Sequence, residues 1–127
     1  MPYNVLIVDD SRTIRSIIIK TLRLTKLDIG EIFEASNGKE GLECIEKHRI
    51  HVILSDLNMP VMSGLEMVAA MEKDGILNDI PVIVVSTDGS ATRIEELKRK
   101  GVKHYIRKPF TPESIGNAID KVLGVTK

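Results

Sequence analysis

Five residues with chemically useful side chains fall at the ends of short apolar runs. Asp9 and Asp10 follow Val5 to Val8, Asp56 closes the run that begins at Val52, Ser86 follows Val82 to Val85, and Lys108 follows Val102 to Ile106. Taken singly, each has an ordinary explanation: helix-capping acids, a turn-forming serine, a surface lysine. Their joint occurrence at four strand ends is harder to attribute to chance. Three carboxylates gathered at one sheet edge repel, and at an effective dielectric near 20 a unit pair 4 Å apart is worth about 4 kcal/mol. Lys108 supplies one compensating charge, and a hard divalent cation that takes oxygen ligands and keeps several waters, Mg²⁺, would supply the rest. An aspartate beside such a cation and an ammonium is equipped to accept a phosphoryl group, because both neutralise charge on the equatorial oxygens of the transition state. A carboxylate nucleophile needs no general base. No histidine or second nucleophile is placed to turn over an external substrate, so the expectation is a residue modified in place rather than a turnover enzyme.

The elements that must position these residues alternate along the chain. Val5 to Val8 reads as the first strand, and Ser11 caps a helix with Ile14, Ile17, Ile18, Thr21 and Leu22 on its inner face and Arg12, Arg15, Lys20 and Arg23 mostly on the other. Ile32 to Ala35 reads as a less apolar strand at an edge. Asn37 to Glu40 opens a second helix holding Leu42, Cys44 and Ile45. The stretch HVILSDLNMPVMSG, His51 to Gly64, is a buried strand ending at Ser55-Asp56 and a loop broken by Pro60 and Gly64. Ser63 and Glu66 have capping-box spacing for a third helix to Asp74, with Leu65, Val68 and Ala69 inward and Gly75 as its stop. Val82 to Val85 is the fourth strand. The fourth helix, Ala91 to Lys100, has only Ile94 and Leu97 as large apolar residues and should be the least firmly held. Val102 to Ile106 is the fifth strand. Thr111 with Pro112 starts a last helix with an apolar stripe at Ile115, Ala118, Ile119, Val122 and Leu123. Five strand–helix alternations predict an α/β fold, a doubly wound five-stranded parallel sheet with five helices on both faces. In such sheets ligands bind beyond the carboxyl ends of the strands.

Bulk properties agree with one domain over residues 1–127. The chain is 43% hydrophobic and 28% charged, with aromatics at 3%, so its core must be aliphatic. Lys+Arg and Asp+Glu are both 18, giving net charge zero and no global field that favours nucleic acid or an anionic membrane. The single cysteine, Cys44, rules out an internal disulfide and reads as packing in a reducing compartment. The N-terminus has neither signal-peptide nor membrane-span character, so the expectation is a cytoplasmic protein without membrane insertion.

The whole chain resembles the receiver domain of two-component response regulators, most closely the single-domain chemotaxis regulators of the CheY type. The resemblance rests on VLIVDDS at Val5 to Ser11, SDLNMPVMSGLE at Ser55 to Glu66, PVIVVST at Pro81 to Thr87 and KPF at Lys108 to Phe110. It implies strand order 2-1-3-4-5, the flavodoxin-like order. It makes Asp56 the phosphorylation site, with Asp9, Asp10 and Asp56 holding Mg²⁺ together with the backbone carbonyl of Asn58. Ser86 is then the hydroxyl that bonds a phosphoryl oxygen, Lys108 the lysine paired with it, and Tyr105 the ring that moves inward as Ser86 is drawn to phosphate. The Lys108-Pro109 peptide is usually cis in this family. A histidine kinase is the implied phosphodonor, and a phosphatase can be a further partner. Thr87 departs from the small residue common at its position and narrows access to the phosphoryl group. Asn58 and Asp88 flank the path of the attacking water, so these three residues should tune dephosphorylation, which is expected to be moderately fast.

Phosphorylation adds negative charge and three acceptor oxygens at one sheet edge, and the thinly apolar fourth helix is the natural two-state element to respond. The expected output surface combines that helix, the fifth strand and the last helix, with Arg93, Lys98, Arg99, Lys100, Lys103 and Arg107 making it basic and Tyr105 beside it. A basic helix end that merely keeps the surface soluble accounts for Lys98 to Lys100 equally well. Three other readings fare worse. An aspartyl phosphatase of the haloacid-dehalogenase type places D-x-D after its first strand, whereas this chain has adjacent Asp9-Asp10. A flavodoxin-type flavin module needs a Gly/Ser/Thr-rich phosphate cradle where this chain has Asp9-Asp10-Ser11-Arg12. A DNA-binding regulator would need an effector domain. Among receivers, a phosphorelay shuttle remains open beside a chemotaxis role.

Overall fold

The structure, a computed structural model, describes residues 2–76, 79–87 and 90–124. Strand β1 (Tyr3–Val8) is followed by helix α1 (Arg12–Arg23), β2 (Ile29–Ala35), α2 (Gly38–Lys47), β3 (Val52–Ser55), α3 (Gly64–Lys73), β4 (Val82–Ser86), α4 (Ala91–Arg99), β5 (His104–Arg107) and α5 (Pro112–Leu123). The strands form one parallel sheet in the order β2-β1-β3-β4-β5, as the resemblance implied. β2 is an edge strand, as its composition predicted, but it begins at Ile29, earlier than the apolar pattern shows.

Alternation along the inner strands sorts their side chains between two cores. Leu6 and Val8 of β1, with Ile53, Val82 and Val84, pack under α2 and α3 against Met67, Val68 and Met71, with Leu97 of α4. Val5 and Ile7, with Val52, Leu54, Ile83 and Val85, pack on the other face against Ile18, Leu22, Ile115, Ala118 and Ile119 of α1 and α5. A strand covered on both faces must be apolar at every position, which is why β1, β3 and β4 read as continuous runs.

Two inner faces differ from the sequence pattern. In α1, Ile17 is 44% exposed and the buried positions are Ile18, Thr21 and Leu22. In α3, Met67, Val68 and Met71 are buried, Leu65 only partly so, and Ala69 is exposed. The phase of α3 is set at its first residue, where Gly64 lies against the backbone of Asp56. That contact turns the flexible methionines inward, where they fill space between α2 and the sheet. Cys44 is half-buried, packs with this same core, and burial pushes its thiol pKa up, the condition of an inert structural cysteine.

Helix starts follow the predicted caps. Ser11 accepts from the Ile14 amide, Ser63 and Glu66 close a capping box, and Thr111 and Ser114 close another around Pro112. At α2 the box is displaced by one residue: Asn37 accepts from the Glu40 amide, but the Glu40 carboxylate accepts from the Ser36 N–H at 2.9 Å. No helix among the described residues is long and apolar enough to cross a membrane.

Candidate functional site

The carboxyl ends of β1 and β3 are adjacent because those strands pair in register, Val8 beside Ser55. The residues that follow, Asp9 and Asp56, are therefore neighbours in space although 47 positions apart. The Asp56 N–H donates to the Val8 carbonyl at 2.9 Å, carrying the ladder one step past the strand. Oxygens of Asp9, Asp10 and Asp56 come within 4.8 Å of one another, and among the described residues this is the group of acids so arranged. Lys108 reaches in from beyond β5: its Nζ lies 3.4 Å from Asp9 Oδ2 and 3.8 Å from Asp56 Oδ2.

Each acid is held differently. Asp9 is 2% exposed and its Oδ1 accepts from the Ser11 N–H at 2.9 Å. Asp10 is exposed. Asp56 is half-buried, and Oδ1 accepts from the Leu57 N–H at 2.7 Å, which fixes the carboxylate plane and leaves Oδ2 towards Lys108. Burial pushes the Asp56 pKa above the ordinary carboxylate range. The Leu57 N–H and Lys108 oppose that shift without cancelling it, and Asp9 and Asp10 add to it.

One ammonium facing three carboxylates leaves uncompensated negative charge, and the donors are all oxygen. That set fits Mg²⁺, a hard cation bound through a few carboxylates with its waters retained. It is poorly suited to metals that prefer nitrogen or sulfur.

Of the other predicted residues, Ser86 ends β4, is 2% exposed, and its carbonyl accepts both the Lys108 N–H at 2.9 Å and the Tyr105 hydroxyl at 3.2 Å. Tyr105 is half-buried against the core under α4. Asn58 and Thr87 are exposed in the loops after β3 and β4, and Asp88 lies outside the described residues. The Lys108-Pro109 peptide is cis. Arg93 pairs with Glu96 along α4 at 2.8 Å, Lys100 is the C-cap of that helix, and Lys103 is exposed. These residues lie on α4 and beside β5, apart from the acids. A cavity of about 490 Å³ between β5 and α5 is lined by His104, Tyr105, Arg107, Asn117 and Lys121 among others.

One participant escaped the sequence reading. Arg15 belongs to the basic set assigned to the outer side of α1, yet its side chain is only 12% exposed and its Nη1 donates to the Asp9 carbonyl. The signal was present: Arg15 shares a helix face with Ile18, Ile19 and Leu22, at spacings of three, four and seven.

Comparison with known proteins agrees with this geometry. The family model described as the response regulator receiver domain matches residues 5–120. The Chemotaxis protein CheY homolog of Campylobacter jejuni is 38% identical over 120 residues, 94% of this chain and 91% of that protein. Chemotaxis protein CheY1 of Helicobacter pylori is 37% identical over 120 residues, 94% of this chain and 95% of that protein. The solved structure of Vibrio cholerae chemotaxis protein CheY4 superposes with a TM-score of 0.85 at 35% identity, covering 97% of this chain and 100% of that one. Sequence, topology and the acid edge thus lead to one assignment: the chain belongs to the response regulator receiver domain family and is CheY-like within it.

Proposed function

We propose that this protein is a phosphorylation-dependent switch of a two-component system, with Asp56 as the acceptor and chemotaxis as its setting. The observation that carries the reading is the convergence of Asp9, Asp10 and Asp56 within 4.8 Å with Lys108 against two of them. A carboxylate oxygen of Asp56 attacks the phosphorus of a kinase phosphohistidine. The P–N bond breaks, its electron pair leaves with the imidazole, and an acyl phosphate remains. Asp9, Asp10, Asp56 and the Asn58 carbonyl would hold Mg²⁺, which supplies charge neutralisation at the transferring phosphoryl oxygens when bound. Lys108, whose Nζ lies 3.8 Å from Asp56 Oδ2, supplies a second positive charge, and Ser86 offers a hydroxyl. Hydrolysis reverses the modification: water attacks phosphorus, the P–O bond to Asp56 breaks, and the carboxylate and inorganic phosphate are released. Asn58, Thr87 and Asp88 tune that step, with the Thr87 side chain narrowing the approach.

The output runs through Ser86. Its carbonyl holds both the Lys108 amide and the Tyr105 hydroxyl, so displacement of Ser86 towards a phosphoryl group alters the support of both. The protein target then docks on α4, β5 and α5, at Arg93, Lys100, Lys103 and Tyr105, beside the cavity along β5. CheY-like receivers are signalling proteins rather than turnover enzymes.

The test is intact mass after incubation with Mg²⁺ and acetyl phosphate, beside Asp56→Asn and a chelator control, with a beryllofluoride titration of tyrosine fluorescence in case the acyl phosphate is lost. A phosphate-sized gain that needs both Mg²⁺ and Asp56 is expected. No gain and no beryllofluoride response would overturn the reading.

A further inference from the structure

All four polar atoms of Asp9 are engaged. Its N–H donates to the Ala35 carbonyl at 3.0 Å, Oδ1 accepts from the Ser11 N–H, Oδ2 faces Lys108, and its carbonyl accepts from Arg15 Nη1. Arg15 makes a second bond at the same time: its Nε donates to Glu34 Oε1 at 2.9 Å. One guanidinium on α1 therefore ties the turn after β1 to β2, the edge strand, which has a sheet neighbour on one side only. The arginine is largely buried while Glu34 is 42% exposed, so the guanidinium lies under the acid turn and its partner closes it from the rim. The charge of Arg15 also reaches Glu40 at the start of α2, although hydrogen bonds from Ser36 do more to hold that carboxyl below its usual range.

We propose that Arg15 is a positioning residue for the divalent-cation site, bridging the Asp9 carbonyl and Glu34 so that the Asp9-Asp10 turn is fixed before a cation arrives. The proposal rests on Asp9, Asp10 and Asp56 holding that cation. The two acceptors lie on different elements, and a planar guanidinium satisfies both from one rigid group, whereas a lysine offers a point charge on a flexible stem. Without the bridge, repulsion among the three carboxylates acts on a turn whose carbonyl has lost its donor.

The test is an NMR titration with Mg²⁺ of the wild type, Arg15→Ala and Arg15→Lys, well below each variant's melting temperature. It follows the amides of Ser11 and Leu57, which donate to Asp9 and Asp56. Loss of an outer-shell partner commonly costs 10–100-fold in metal affinity, so Arg15→Ala is expected to raise the Mg²⁺ concentration for half-saturation about tenfold. Its Ser11 amide should shift before any Mg²⁺ is added, and that of Leu57 should not. Arg15→Lys keeps the charge without the bridge and should stay close to Arg15→Ala; it also carries the test if Arg15→Ala fails to fold. Half-saturation unchanged in both variants, or restored to the wild-type value by lysine, overturns the proposal. A wild type with no saturable response overturns the cation-site reading and this proposal with it. Saturation in the wild type with unmoved variants removes Arg15 alone.

Discussion

A β-carbon built on Gly64 would lie 2.2 Å from the carbonyl oxygen of Asp56. The first residue of α3 and the candidate phosphoacceptor are thus in backbone contact, closed by the Gly64 N–H donating to the Leu57 carbonyl at 2.9 Å. The loop between them is a tight hoop that fixes where β3 releases Asp56. α2 reaches the same hoop, since the Gly38 N–H donates to the Met62 carbonyl at 2.9 Å.

Gly64→Ala must therefore shift backbone rather than a side chain. Overpacking of this kind costs about 1–3 kcal/mol, and a lower urea midpoint is expected. Because the displaced atoms belong to Asp56, Mg²⁺-dependent phosphorylation should fall by more than the stability loss explains, read as initial rate on protein that is still fully folded.

Within the hoop Val61 has φ of 68° and is 76% exposed. A β-branched residue in the left-handed region stores about 1–3 kcal/mol. Val61→Gly and Val61→Asn should each raise the urea midpoint, the asparagine through a gain of about 1 kcal/mol in unfolding free energy because it tolerates this region without the full entropy loss of glycine. Unchanged midpoints in both would show that the backbone relaxes around valine.

His104, half-buried on β5, has its pKa held below the usual 6.5, first by burial and then by Lys121 and Lys98. The folded state thus resists protonation more than the unfolded chain. Its stabilising contribution is fully present above pH 6.5 and is lost as pH falls from there towards the depressed folded value. His104→Gln should flatten that part of the wild-type profile of melting temperature against pH; parallel profiles would contradict it.

Asp56 has the opposite sign for an acid. Its raised pKa means that the folded state takes up its proton more readily than the unfolded chain, so stability declines as pH rises above the ordinary carboxylate value through the folded pKa. Asp56→Asn removes that unfavourable charge from among Asp9 and Asp10. In chelator at neutral pH the variant should unfold at higher urea than the wild type, and Mg²⁺ should narrow the gap. A variant less stable than wild type in chelator would show that the Leu57 and Lys108 contacts outweigh the repulsion.

The sequence by itself determined the alternation of strands and helices, the caps at Ser11, Asn37, Ser63 and Thr111, and the strand ends where the acids lie. These are local properties: a short apolar run rich in β-branched residues and bounded by turn formers suits a strand covered on both faces, and a capping side chain bonds an amide two or three residues on. Tertiary structure alone decided the facing of α3, because Leu65 fits an apolar stripe as well as Met67 and Met71 do, and it left Ile17 exposed at the border of an α1 face that otherwise buries Ile18, Thr21 and Leu22 as the pattern predicts. For α3 the choice was made where Gly64 meets Asp56, 8 positions back along the chain. Arg15 was illegible for a related reason. A helical arginine reads as solvated until the carbonyl of Asp9 and the carboxylate of Glu34 are both seen within its reach, and those partners come from separate strands that only pairing brings side by side.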